Sequence, residues 1–112
     1  MQLSSITLLS ALCFIGIMIL LHLIKPELNP TWRMISEYEI GKYGWLMRLA
    51  FLLWATCVIS LLLILNRAGS SALINIWLGV LTAALIGAAI FKTDPILETT
   101  KSLTNRLHTI CG

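Results

Sequence analysis

The chain has 112 residues, room for one domain, and 58% of them are hydrophobic while only 12% are charged. Charged residues supply about a quarter of an average sequence, so this composition excludes a water-soluble domain and indicates a membrane protein whose apolar side chains face lipid. The net charge of +3 comes from basic residues spread singly through the linkers; without a basic cluster no nucleic-acid partner is expected.

The first predicted element is a span from about Leu3 to Ile24, matching the roughly 20 apolar residues that cross a bilayer as a helix. No Lys or Arg precedes the run, and it is longer than the apolar core of a signal peptide. It therefore reads as a retained span. Lys25-Pro26 ends it, because proline disfavours helical geometry in the residue before it. Asn29-Pro30 then reads as the start of a short interfacial helix over about residues 30–40, with Asn29 as N-cap and Gly41 as left-handed stop. Arg33 and Glu37 are four residues apart, a spacing suited to an ion pair. Trp32, Tyr38, Tyr43 and Trp45 have the composition of an aromatic belt at headgroup depth.

A second span is predicted from Trp45 to Leu65 and a third from about Leu73 to Phe91. The polar turn NRAGSSA, Asn66 to Ala72, joins them into a helical hairpin. Gly79, Ala83 and Gly87 form a small-residue ladder along the third span, a face on which a neighbouring helix can pack closely. Beyond it, Phe91-Lys92-Thr93-Asp94-Pro95 repeats the Asx-Pro pattern, making Asp94 a candidate N-cap. The closing LHTICG reads as the opening of a further span. The expectation is an all-α transmembrane helical bundle. One membrane domain covers residues 1–112, with three spans, a short interfacial helix and a C-terminal stub, and it is incomplete at the C-terminus, so a missing C-terminal half or a homo-oligomer would complete it.

With three spans, Lys25, Arg33, Lys42, Arg48, Lys92, Lys101 and Arg106 share one side of the membrane and Arg67 lies alone on the other. The positive-inside rule then predicts a multi-pass protein of the plasma membrane, with the first linker and the tail cytoplasmic and the N-terminus outside. Cys13, Cys57 and Cys111 form no CxxC pair, and a free thiol in an apolar run behaves as a small hydrophobe. No disulfide framework is expected.

The residues able to carry chemistry collect at the cytoplasmic side: His22, Arg33, Glu37, Arg48, Asp94 and His108. Ionisable groups near hydrocarbon pair with one another or line a cavity. The plainer reading is that His22 bonds a backbone carbonyl, Arg48 snorkels and Asp94 only caps a helix. Two histidines on neighbouring helices are also the ligand set of a b-type haem, which would make a membrane redox protein. Ser36, Asp94 and the histidines would alternatively suit a metal-dependent intramembrane lipid hydrolase, although no HxxxH or HxxE pair is present. Neither a metal nor another cofactor is assigned, and enzymatic activity stays open. The leading expectation is recognition of a lipid headgroup, a small solute or a partner at one membrane face.

The run HLIKPELNPTWRMISEYEIGKYGWLMRLAFLLWA (His22 to Ala55), followed by FKTDP (Phe91 to Pro95) and RLH (Arg106 to His108), resembles the domain-of-unknown-function 998 family of predicted multi-pass membrane proteins. Members of that family look like bundles of about six spans, roughly twice what this sequence supplies. The resemblance implies the fold and no settled activity, substrate or cofactor. It also implies that Ser36, Glu37, Tyr38, Asp94 and His108 form one polar site.

Overall fold

The computed structural model describes residues 2–29, 31, 33–91 and 102–111. Four helices account for the described fold: α1 (Leu3–Ile24), α2 (Gly44–Arg67), α3 (Ala72–Ile90) and α4 (Leu103–Cys111), with a 3-10 helix at Ile35–Glu39 between α1 and α2. The first three are long and apolar enough to cross a membrane. Their limits lie within two residues of those that apolar length predicts, because span ends are set where hydrocarbon gives way to water.

Helix α2 is the centre of the bundle, packed against both α1 and α3 and touched by the 3-10 helix, while α4 lies on α3. Its inward face carries small residues, with Gly44, Ala50, Ala55 and Ser60 buried beside Met47 and Phe51. Small side chains let membrane helices approach closely where no water-driven collapse separates helix from lipid. Across α1 and α2 the Thr7 and Ser60 hydroxyls meet at 2.7 Å. The outer stripe of α1, Leu8, Leu12, Ile15, Ile19 and Leu23, is exposed and in a bilayer meets acyl chains.

The α2–α3 hairpin is closed by its own turn chemistry. Gly69 takes a left-handed φ of +82°. Its N–H donates to the Asn66 carbonyl at 3.1 Å and the Ser70 N–H to that of Leu65 at 3.0 Å, the paired bonds of a Schellman stop. Ser71 then caps α3 by accepting from the Ile74 N–H at 3.4 Å, and the Asn75 amide donates to the Asn66 side-chain oxygen at 3.3 Å.

The segment between α1 and α2 differs from the expected three-turn helix over residues 30–40. Asn29 uses its side-chain oxygen to accept from both the N–H and the hydroxyl of Thr31, at 2.9 Å and 2.7 Å. That local turn competes with helix formation, and among the described residues of this segment helical structure begins at Ile35. Pro30 and Trp32 lie outside the described residues. Gly41 does supply a left-handed turn, at φ +84°. Tyr38 does not join an aromatic belt: it is 2% exposed and part of the core, whereas Trp45 is exposed at the start of α2.

Candidate polar site at one membrane face

The 3-10 helix Ile35–Glu39 is buried along Ser36, Glu37, Tyr38 and Glu39, and the last three are held by different parts of the chain. The Glu37 carboxylate, fully buried, accepts from the Arg33 Nε at 2.7 Å and from the Met34 N–H at 3.1 Å. The predicted Arg33–Glu37 pair thus forms, although Arg33 precedes the helix; Glu37 reaches back over its own N-terminus, where negative charge is favoured. Tyr38 donates its phenol to the Leu28 carbonyl at 3.4 Å, and its ring lies 5.1 Å from that of His22.

Lys25, at the end of α1, is buried and donates to the Tyr38 carbonyl at 3.2 Å and to that of Ile40. A cation there satisfies the carbonyls that a helix leaves unpaired at its C-terminus. Burial pushes the Lys25 ammonium below its ordinary pKa, with the Glu27 charge opposing. Burial also pushes the Tyr38 phenol up, and Glu27 adds to that shift.

Glu39 joins the remaining charges. One carboxylate oxygen is 3.3 Å from the Arg48 Nε on α2 and the other is 3.8 Å from the His108 Nδ1 on α4. The same Nδ1 is 2.6 Å from the Phe91 carbonyl at the end of α3. A carbonyl can only accept, so this nitrogen carries the proton. His108 is buried, with its ring 6.0 Å from Phe51 in an edge-on contact.

The structure therefore brings Arg33, Ser36, Glu37, Tyr38, Arg48 and His108 into one layer. His22 sits at its margin, exposed to the outside of the bundle, and donates through Nδ1 to the Met18 carbonyl at 2.7 Å. The two histidines line separate concavities. Asp94 lies outside the described residues. Among those that are described, no three of His, Cys, Asp and Glu gather as a metal site. Gly87 packs so closely on α4 that a Cβ there would overlap the Cys111 sulfur, while Gly79 meets open space and Ala83 is exposed.

Sequence reasoning passed over Glu39, Lys25 and Gly44. The signal for Glu39 was Arg48: a guanidinium so close to the hydrocarbon calls for a nearby carboxylate, and Glu39 is the acid just before α2. Gly44 carries no charge to attract notice, yet a Cβ at this position would overlap the Glu39 carbonyl. Its lack of a side chain lets α2 begin directly beneath the 3-10 helix.

Two concavities flank the layer. One, of about 350 Å³, is lined by Lys25, Glu27, Arg33, Glu37, Lys42 and Tyr43, with Ile24, Leu28, Ile40 and Gly41. The other, of about 510 Å³, is walled chiefly by apolar side chains from α2, α3 and α4 and includes Ser36 and His108. The 3-10 helix and the strand of chain entering it separate them, so neighbouring residues serve different sides.

Three apolar helices capped by a buried charged layer define a multi-pass integral membrane protein of all-α fold. A family model described as a protein of unknown function (DUF998) matches residues 8–112, and the chain belongs to that family. No curated protein and no solved structure matches the chain.

Proposed function

We propose that the protein recognises an anionic lipid headgroup at the cytoplasmic face of the plasma membrane. The observation that carries this reading is the cleft of about 350 Å³ that Lys25, Arg33 and Lys42 line from three different stretches of chain. Glu37, the buried acid on its wall, is engaged by Arg33, and Glu27 leaves the lining with one more cation than anions. Such a rim favours phosphate oxygens, which accept hydrogen bonds from lysine and arginine without competing donors. Lys42 is exposed, its ammonium 5.5 Å from the Tyr43 ring centroid, and is free to swing onto a headgroup at the boundary where Tyr43 sits.

Native mass spectrometry of the purified protein with phosphatidylglycerol, phosphatidylcholine or free glycerol phosphate tests the reading. Retention of phosphatidylglycerol over phosphatidylcholine is expected, with Lys42→Gln weakening it about five-fold, the worth of one near-surface lysine. Equal retention of both lipids would overturn it. Tighter binding of free glycerol phosphate than of the lipid would replace the headgroup with a small solute.

A further inference from the structure

The second concavity differs from the first in kind. Its walls include Phe51, Trp54, Leu81 and Leu85, and its volume of about 510 Å³ falls within the range of about 300–1,000 Å³ typical of small-molecule sites. Trp54 and Leu81 are exposed on the outside of α2 and α3, so in a bilayer the groove opens sideways into the hydrocarbon. An occupant arriving by that route is a lipid.

The polar atoms at its deep end are few. Thr109 lines the groove, but its hydroxyl is committed to the Asn105 carbonyl at 2.9 Å. Ser36 is 8% exposed, and its hydroxyl has no hydrogen-bond partner among the described residues. His108 is 4% exposed. Its Nδ1 proton is directed to the Phe91 carbonyl; in the neutral ring this leaves the lone pair on Nε2, and Nε2 likewise has no partner among the described residues. The pair therefore offers one acceptor and one hydroxyl at the end of an apolar slot.

We propose that this groove binds a neutral, hydroxyl-bearing lipid of the diacylglycerol class. Its hydroxyl donates to the His108 Nε2, the Ser36 hydroxyl donates to that oxygen or to a neighbouring ester oxygen, and an acyl chain lies between Phe51, Trp54 and Leu81. Carboxylate and phosphate heads are disfavoured on two counts: when ionised they bring no donor to the Nε2 lone pair, and the Glu39 carboxylate stands 3.8 Å behind the ring. The proposal goes beyond headgroup recognition and uses the opposite side of the 3-10 helix, so either site can fail without the other.

The test uses the purified chain in nanodiscs with a diazirine-bearing diacylglycerol, mapping the labelled peptides by mass spectrometry. Label is expected on peptides containing residues 34–36, 81–88 or 103–111, and unlabelled diacylglycerol should displace it. The O-methyl ether of that lipid, lacking the donor, and the free fatty acid should each compete at least about ten-fold less well, because a buried acceptor is then left unpaired. Ser36→Ala should weaken labelling about five-fold, the worth of one hydrogen bond, while leaving the Tm unchanged, and Lys42→Gln should leave labelling as it was. Equal competition by the methyl ether, label confined to other peptides, or the groove found cross-linked to a second copy of the chain would each overturn the proposal.

Discussion

Lys25 and Tyr38 show how single residues hold this interface together, and both do so at a cost that pH exposes. The Lys25 ammonium ties the carbonyls of Tyr38 and Ile40 to the end of α1, while the Tyr38 phenol reaches the Leu28 carbonyl from inside the core. Burial lowers the lysine pKa, so between that lowered value and the ordinary value of about 10.4 the unfolded chain binds more protons than the fold. Stability contributed by this residue therefore rises with pH across that window. The tyrosine has the opposite sign. Its pKa is raised, so above the ordinary value of about 10 the unfolded chain loses its proton first and stability falls. Thermal unfolding of the detergent-solubilised protein from about pH 8 to about pH 11 should show a rise followed by a fall. Lys25→Met should flatten the rise and Tyr38→Phe the fall. A Tyr38→Phe profile that declines as steeply as the parent would show that another group sets the alkaline limb.

Among the elements, the 3-10 helix depends on what lies under it. Helix α2 starts at Gly44, where any side chain would overlap the Glu39 carbonyl. Backbone cannot rotate away as a flexible side chain does, so Gly44→Ala must displace the element that carries Glu37, Tyr38 and Glu39. A loss near the upper end of the about 1–3 kcal/mol typical of overpacking is expected, read as a lowered Tm. Gly16→Ala is the matched control, because a Cβ there meets nothing within 4 Å and should change the Tm little. Equal effects at the two positions would show that the Glu39–Gly44 contact is not limiting. These elements also mark what the sequence makes legible. Three spans follow from apolar length alone, and the Arg33–Glu37 pair from spacing alone. The Glu39–Arg48 pair closes across the Gly41–Tyr43 turn, and His108 arrives from α4, so those partners depend on how helices fold back. Periodicity within one segment carries no information about that. Asn29 misleads for a related reason: the same side chain can cap a helix or close a turn on Thr31, and only the path of the chain decides.

At the scale of the whole molecule, charge and geometry divide the bundle into two unlike ends. Lys25, Arg33, Lys42, Arg48 and Arg106 belong to the end where the 3-10 helix and α4 meet, whereas Arg67 stands at the other, lining a groove with Gln2 and Ser4. The N-terminus and the α2–α3 turn thus share a side, and the positive-inside rule predicts that this side is the exterior. The structure also decides where a topology probe belongs. Glu39 is buried and paired with Arg48, so a cysteine there would be shielded and would disturb the fold; Lys42 and Ala68 are exposed at opposite ends. In a background with Cys13, Cys57 and Cys111 replaced by serine, Ala68→Cys should react with a membrane-impermeant maleimide in intact cells. Lys42→Cys should react only after permeabilisation. The reverse pattern would turn the bundle over and place the lysine-lined cleft outside the cell. Headgroup selection would then act on the outer leaflet, and the cationic excess at that end would owe its presence to ligand binding and not to insertion.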